Sequence, residues 1–221
     1  MLPTKTHRGC IELIISYELG NSLYINLTNR CSNACDFCLR TGSGAEDSGN
    51  WQTSDDLSGT QELWLEHEPS VQEIIDDLKK RDLKKYDEVV FCGFGEPFMR
   101  FDDCADVAKW LKTQDIKVRV NTNGQANLIF GYDVTDKMKG LFDVVSISLN
   151  AKNAQEYDNV CHSDYGAAAY DALLEFGKKC SEKGIETIFT VVDLMPKDDI
   201  AECEKIANSH GGKLRIRKYI I

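Results

Sequence analysis

The chain has 221 residues, of which 42% are hydrophobic and 28% charged, a composition typical of a soluble globular protein rather than a disordered or fibrous one. Its 26 basic and 36 acidic residues give a net charge of −10, which argues against broad binding to nucleic acid or to an anionic membrane. Nine cysteines are unusual, because a chain of this length folds without disulfide bonds. Their odd number fits metal ligation in a reducing compartment better than a secreted disulfide framework.

The N-terminal region carries no recognisable targeting signal. Its longest apolar run, residues 11–15, is interrupted by Glu12 and is too short for a signal peptide or a membrane span. We therefore expect a cytoplasmic protein with no membrane partner.

Strand-like and helix-like segments alternate along nearly the whole chain. Residues 11–19 and 22–27 predict two strands joined by a tight turn. A helix is predicted from Val71, where apolar residues recur at helical spacing and Ser70 with Glu73 forms a capping-box signature. The later predicted strands cover residues 88–92, 117–121, 143–149, 185–192 and 213–220, and the clearest helical stripes between them lie at 104–111, 169–180 and 200–207.

Six strands separated by helices, counted from Ser22, predict an α/β fold with a parallel sheet and right-handed crossovers. Periodicity does not distinguish a partial barrel from an open sheet, but in both cases ligands bind at the carboxyl ends of the strands. Residues 41–61 break the alternation and predict a long, mobile inserted loop. We expect one domain over residues 1–221, with residues 1–16 as an N-terminal extension.

Three cysteines lie within eight residues, directly after the first strand of the alternation: Cys31, Cys35 and Cys38. At spacings of four and three, their thiols can turn toward one centre on a tight loop. Thiolates suit iron–sulfur clusters, zinc or copper(I). A four-iron cluster normally takes four thiolates, so three would leave one iron open, whereas zinc would need a fourth ligand such as Cys10 or His7.

The C-x-x-x-C-x-F-C string resembles the signature of the radical S-adenosylmethionine (radical SAM) superfamily, including the aromatic Phe37 before the third cysteine. The resemblance implies that Cys31, Cys35 and Cys38 hold a 4Fe-4S cluster, that SAM chelates the fourth iron and that Phe37 lies near the adenine. It also implies reductive cleavage of SAM to a deoxyadenosyl radical, oxygen sensitivity, and an electron donor such as flavodoxin or ferredoxin.

A second motif, Cys-Gly-Phe-Gly-Glu-Pro at residues 92–97, follows the next predicted strand. It is similar to the glycine-glycine-glutamate-proline motif of the same family, although Phe94 separates the glycines. Glycines let backbone carbonyls approach a ligand amine and a carboxylate steadies its charge, so Gly93, Gly95 and Glu96 are predicted to contact SAM. An ordinary strand-to-helix turn would explain the same residues.

Polar strings end the next two predicted strands. Asn121 and Asn123 close the first, and Ser146, Ser148 and Asn150 close the second. Alternation places the last three on one face, where hydroxyl and amide groups can hold a ribose or a carboxylate. In the radical SAM family these strand ends contact SAM, which is the role the resemblance implies here. A turn and a polar strand face would also explain them.

Six cysteines remain outside the cluster motif. Three lie on apolar helical stripes, which predicts core positions: Cys104, Cys180 and Cys203. The other three form no second ligand set: Cys10, Cys92 and Cys161. Of these three, Cys92 lies nearest the proposed site. Two histidines, His67 and His162, are candidates for proton transfer, although lone histidines are usually structural or exposed.

The last predicted strand carries Arg215, Arg217 and Lys218 in an otherwise acidic protein. These cations could meet an anionic substrate or the SAM carboxylate. They would also prevent edge-to-edge aggregation if this strand lies at the edge of the sheet.

Four motifs together resemble the TatD-associated radical SAM proteins: residues 26–31, 63–69, 92–97 and 146–151. This resemblance implies a partial (β/α)6 TIM-like barrel of parallel strands with an N-terminal β-hairpin extension. Because no capping segment follows the barrel, we expect an open site that another protein, a large substrate or the loop 41–61 completes. Glycyl-radical activation or modification of a peptide would use such a site, so we expect a protein or peptide substrate. Small-molecule chemistry of the carboxydeazaguanine synthase type is an alternative, and so is a non-catalytic iron–sulfur or zinc-binding protein.

Overall fold

The structure is a computed structural model and describes residues 13–38 and 63–218. In these residues seven strands form one sheet, in which their order follows their order in the chain. The strands are β1 (Ser16–Leu19), β2 (Ser22–Ile25), β3 (Glu88–Phe91), β4 (Val118–Thr122), β5 (Val144–Ser148), β6 (Glu186–Val192) and β7 (Lys213–Arg217). β1 pairs antiparallel with β2, and all later neighbours are parallel.

Helices connect the parallel strands. They are α1 (Val71–Leu78), α2 (Phe101–Thr113), α3 (Ala126–Phe130), α4 (Thr135–Met138), α5 (Ala154–Cys161), α6 (Ala168–Glu182) and α7 (Lys197–Ser209). Short 3₁₀ helices cover Leu83–Lys85 and Pro97–Arg100. In the described part of the chain β1 and β7 do not pair, so the sheet is not closed. The predicted partial TIM-like barrel with an N-terminal hairpin is confirmed.

Several predicted boundaries are wrong. The first strand begins at Ser16 instead of residue 11, and the second ends at Ile25 instead of residue 27. One weak helix was predicted before residue 143, where the structure has the two short helices α3 and α4, and no helix was predicted at α5. The sequence does contain a signal for α5, which is the N-cap residue Asn153 followed by Glu156 three positions later. In the structure the Asn153 side chain accepts a hydrogen bond from the Glu156 N–H. The predicted loop 41–61 and residues 1–12 of the predicted extension lie outside the described residues.

Alternation along the strands gives the sheet two different faces. One face packs against the helices and is apolar, with fully buried side chains such as Leu23, Phe91 and Phe189. Each such side chain stabilises the fold by roughly 1.5–3 kcal/mol. The opposite, inner face of the partial barrel carries polar side chains at the alternate positions: Tyr24, Glu88, Arg119, Asn121, Ser146, Ser148 and Arg215.

The three cysteines on the helical stripes lie where the sequence predicts them. Cys104, Cys180 and Cys203 are fully buried in the core, as predicted. Among residues 13–38 and 63–218, no helix is both long and apolar enough to cross a lipid bilayer.

Candidate functional site

The cysteine loop, residues 31–38, follows β2 at the carboxyl edge of the sheet. Its backbone is fastened to the last turn of α5. The Ala34 N–H donates to the Cys161 carbonyl oxygen at 3.0 Å, and the Asp36 N–H donates to the Val160 carbonyl oxygen at 3.0 Å. The end of α5 therefore forms one wall of the cysteine loop.

A network of buried polar side chains also holds the cysteine loop in place. The side-chain oxygen of Gln125 accepts a hydrogen bond from Ser32 Oγ at 2.8 Å, and its Nε2 donates to Asn33 Oδ1 at 2.8 Å and to Tyr157 Oη at 3.0 Å. Asn123 adds a bond from its Nδ2 to Ser32 Oγ at 2.9 Å. Buried groups that satisfy one another specify a single arrangement. Of these five residues, only Asn123 was predicted from the sequence as a site residue.

The three predicted ligand thiols are half-buried on this loop: Cys31, Cys35 and Cys38. In the described residues no three His, Cys, Asp or Glu side chains surround a common point as metal ligands would. Cys35 instead contacts the buried thiol of Cys161 on α5. Hydrogen bonding to Cys161 and burial raise the pKa of the Cys35 thiol, and the same hydrogen bond lowers the pKa of Cys161. No sequence motif connected Cys161 with the cysteine loop.

Glu96 lies in the turn after β3 and is 4% exposed. Its carboxylate accepts three hydrogen bonds, from Thr122 Oγ1 at 2.7 Å, the Phe98 N–H at 3.0 Å and the Asn123 N–H at 2.6 Å. Burial raises the pKa of Glu96 to about 7, while the three donors act in the opposite direction. Through Asn123, this carboxylate is joined to the network that supports the cysteine loop.

The glycines of the same turn allow close contacts within the chain. A Cβ at Gly95 would collide with the carbonyl oxygens of Thr28 and Arg30, and one at Gly93 would collide with the side chain of Asn26. The Gly95 N–H donates to the Thr28 carbonyl oxygen at 2.9 Å. The turn after β3 thus packs directly on the segment that leads into the cysteine loop, and contact of either glycine with a ligand stays a prediction.

A cavity of about 340 Å³ opens beside the cysteine loop, between α5 and the end of β6. Phe37, Asn150 and Val192 line it together with Leu194 and Met195. Cavities of this size with a largely apolar lining and a few polar groups suit small organic ligands. The Oδ1 atom of Asn150 is buried without a hydrogen-bond partner in the described chain, so the cavity offers an unused acceptor.

A family model described as "Radical SAM superfamily" matches residues 25–209. The chain belongs to the radical SAM superfamily. Its fold is similar to that of SuiB from Streptococcus suis, with a TM-score of 0.65 and 14% identity over 92% of this chain and 40% of SuiB. The chain therefore spans less than half the length of SuiB. Further SuiB structures hold the precursor peptide SuiA or S-adenosylmethionine.

Other solved radical SAM-type folds match to a similar degree. Methylornithine synthase (PylB) has a TM-score of 0.63 and 10% identity over 90% of this chain and 53% of PylB. The hydrogenase maturase HydG from Carboxydothermus hydrogenoformans has a TM-score of 0.59 and 16% identity over 90% of this chain and 44% of HydG. No curated protein matches the chain. At these identities the likeness establishes the fold.

The residues of this radical SAM chain fit the cluster and the cofactor by their chemistry. Three thiols on one short loop are the soft donor set that an iron–sulfur cluster requires. Buried Oδ1 atoms of Asn121 and Asn150 lack partners within the described residues, as expected beside a polar ligand such as SAM.

The remaining predicted site residues of the radical SAM domain lie apart from the Phe37 cavity. Ser146 is buried on the inner face and accepts a hydrogen bond from Arg215 Nη2 at 2.8 Å. Asn121 lies beside Cys92, whose thiol pKa is raised chiefly by burial. Ser148 occupies the next inner-face position of β5. The structure brings Phe37 and Asn150 together in the cavity. Asn121, Ser146 and Ser148 lie instead on the inner face of the sheet.

The two unassigned histidines differ in their surroundings. His162 Nε2 lies 2.7 Å from Asp36 Oδ1 and so connects the end of α5 to the cysteine loop. His67 Nε2 lies 3.2 Å from Glu73 Oε1 on the exposed start of α1. Of the two, only His162 contacts the loop.

Proposed function

We propose that the chain is an oxygen-sensitive enzyme that holds one 4Fe-4S cluster through Cys31, Cys35 and Cys38 and binds SAM in the adjoining cavity. The observation that carries this proposal is the position of Phe37, which is part of the cysteine loop and also lines the cavity with Asn150. When bound, the cluster and SAM supply a one-electron cleavage that yields a deoxyadenosyl radical, which abstracts a hydrogen atom from the substrate.

The chain's own residues position this chemistry and keep water from it. In the proposal the Gln125 network fixes the cysteine loop, and Phe37 packs against the adenine. The Glu96 carboxylate holds the SAM ammonium group by charge. SAM is proposed to extend from the cavity onto the neighbouring strand ends, where further contacts are proposed for seven residues: Gly93, Gly95, Asn121, Asn123, Ser146, Ser148 and Asn150.

We propose a protein or peptide as the substrate. The sheet is not closed between β1 and β7 in the described residues, which leaves the interior accessible from the side. SuiB, which has a similar fold, holds a precursor peptide in one of its structures. The alternative is a small substrate of the carboxydeazaguanine synthase type. We also propose that the chain belongs to the TatD-associated subgroup and that the protein is cytoplasmic. Its proposed electron donor is a flavodoxin or ferredoxin.

The decisive experiment is anaerobic reconstitution with iron and sulfide, followed by addition of SAM and dithionite. We expect iron and sulfide contents of one 4Fe-4S cluster per chain, and deoxyadenosine detected by liquid chromatography. A fully loaded protein that forms no deoxyadenosine would show a non-catalytic iron–sulfur protein instead. A purified protein that contains zinc and no sulfide would favour the zinc-binding alternative.

Cysteine variants test the ligand assignment. Cys35→Ala should remove the visible absorbance of the cluster together with SAM cleavage, because a cluster with only two protein thiolates is not retained. The matched control is Cys203→Ala, which removes a thiol on the buried face of α7 and should retain both properties. Retention of the cluster in Cys35→Ala would refute the assignment.

A further inference from the structure

Two arginines reach across the inner face of the sheet from distant strands. Arg119 on β4 donates from Nη2 to Tyr24 Oη on β2 at 3.4 Å. Arg215 on β7 reaches over β6 and donates from Nη2 to Ser146 Oγ on β5 at 2.8 Å. Both guanidinium groups lie on the inner face, and the charge of Arg119 acts on Arg215.

The positive charge of this arginine pair is only partly neutralised. Glu88 lies 2.8 Å from Arg119 Nη2, and both side chains are largely buried. Arg215 makes no ion pair with any described residue. Burial lowers the pKa of the Arg215 guanidinium, and the positive charges of Arg119 and Arg217 lower it further. A protein with a net charge of −10 thus keeps a surplus of cations inside its sheet.

Both arginines also have buried donors without acceptors. The Nε atoms of Arg119 and Arg215 are buried and make no hydrogen bond within the described residues. Arg119 is only 7% exposed, so its free donor faces the interior of the sheet. Buried polar groups are normally satisfied, and guanidinium donors pair best with the two oxygens of a carboxylate or phosphate.

We propose that Arg119 and Arg215 bind an oxyanion group of the substrate, a carboxylate or a phosphate, on the inner face of the sheet. Tyr24, which already contacts Arg119, offers a hydroxyl group to the same anion, and Ser146 holds Arg215 in position. The inference rests on the proposed function in one respect, since the anion belongs to the molecule from which hydrogen is abstracted.

Anion binding is tested on the cluster-loaded protein with SAM under anaerobic conditions. The melting temperature is measured while sodium phosphate or sodium succinate is titrated, each against sodium chloride of equal ionic strength. We expect one of the two anions to raise the melting temperature above the chloride reference, because a ligand that binds only the folded state stabilises it. The more effective anion identifies the group as phosphate or carboxylate. No rise with either anion would overturn the proposal.

Substitutions assign the effect to the arginine pair. Arg215→Gln should need a roughly ten-fold higher anion concentration for the same rise, the loss expected for one charge-assisted hydrogen bond. Arg215→Lys should keep part of the response. Arg81→Gln is the matched control, because Arg81 contacts Glu18 and Ser16 outside the inner face. An equal response of Arg215→Gln and the unsubstituted protein would overturn the proposal.

Two further measurements separate loss of anion binding from a folding defect and from failure of SAM cleavage. If Arg215→Gln does not fold, phenylglyoxal modification of the unsubstituted protein replaces it, and Arg215 should react more slowly when the anion is present. Equal modification rates would overturn the proposal. Deoxyadenosine formation is assayed on the same sample, so that failure of SAM cleavage contradicts the proposed function independently of the anion result.

Discussion

Individual buried side chains decide how the cysteine loop is held. Gln125 is fully buried and contacts Ser32, Asn33 and Tyr157 at once. A side-chain amide has two donors and one acceptor oxygen, so one residue can hold several partners in fixed directions. The loop's shape therefore depends on polar residues that are not expected to touch the cluster.

Gly95 gives the first prediction at the residue scale. Gly95→Ala should lower the free energy of unfolding by about 1–3 kcal/mol, because its Cβ has no space between the Thr28 and Arg30 carbonyl oxygens. It should also reduce the amount of cluster retained, since Arg30 precedes Cys31. The measurements are chemical denaturation and the iron content after reconstitution.

A second glycine provides the control for that variant. Gly131 has a φ of 72° and open space around its Cβ position, and it caps the end of α3. Gly131→Ala should cost roughly 1–2 kcal/mol through its left-handed backbone. Its iron content should stay normal. An equal loss of iron in both variants would show that Gly95 acts only through overall stability.

Glu96 gives a prediction about pH. Burial raises its pKa to about 7, so the carboxyl group is largely protonated below that pH and ionised above it. Only the ionised form attracts the SAM ammonium group. SAM affinity should therefore increase as the pH rises from about 6 to about 8, by up to roughly ten-fold per unit below the pKa. Equilibrium dialysis with the cluster-loaded protein measures this dependence.

The comparison for the pH prediction is Glu96→Gln, which has no titrating group. Its SAM affinity should be low and nearly constant over the same pH range. A dissociation constant of the unsubstituted protein that does not change with pH would exclude the Glu96 carboxylate as the partner of the ammonium group.

At the scale of elements, α5 is the support of the site. Its last turn accepts backbone hydrogen bonds from the cysteine loop, and its Tyr157 and Cys161 side chains contact that loop from within. The helix has only eight residues, which is short for independent stability. Its N-terminal cap at Asn153 should therefore affect the cluster site from a distance.

The cap of α5 can be tested against the cap of another helix. Asn153→Ala and Ser70→Ala each remove a side chain that accepts a backbone hydrogen bond at an eight-residue helix, α5 and α1 respectively. Each should lower the free energy of unfolding by about 1 kcal/mol. Only Asn153→Ala should also accelerate loss of the cluster absorbance in a chelator. Equal rates in the two variants would contradict the supporting role of α5.

At the scale of the whole molecule, the proposed site joins segments that are far apart in the chain. The cysteine loop follows β2, the Glu96 turn follows β3, Gln125 follows β4 and α5 follows β5. One of the hydrogen bonds at the loop joins Asn33 to Tyr157, which lies 124 positions further along the chain. A ligand bound to the loop should consequently stabilise the fold as a unit.

Cluster loading tests this coupling. Reconstituted protein should melt at a higher temperature than the iron-free protein, because the cluster binds the folded loop and not the unfolded chain. Removing iron with a chelator under reductant should return the melting temperature to the iron-free value. Identical melting temperatures with and without iron would show that the loop is not coupled to the rest of the fold.

Local sequence patterns predicted the strands of the fold but not the contacts that hold the cysteine loop in place. Alternation of strands and helices gave the six parallel strands, since side-chain periodicity is a local property of the chain. The short α5 was missed because it buries only Tyr157 and Cys161, too few apolar side chains for a periodic signal, and its cap was the available indication. Arg215 was predicted on the last strand, but its contact with Ser146 depends on the curvature of the sheet.

The sequence by itself determined the family of the chain and the residues that we propose as its cluster ligands. Cys31, Cys35, Phe37 and Cys38 lie within eight residues, so their spacing fixes their proximity without any knowledge of the fold. Tertiary structure alone decided that Cys161 lies beside Cys35 and that the cysteines within residues 13–38 and 63–218 do not divide simply into ligands and core. The physical reason is that burial and polar contacts between distant segments arise only when the whole sheet is assembled.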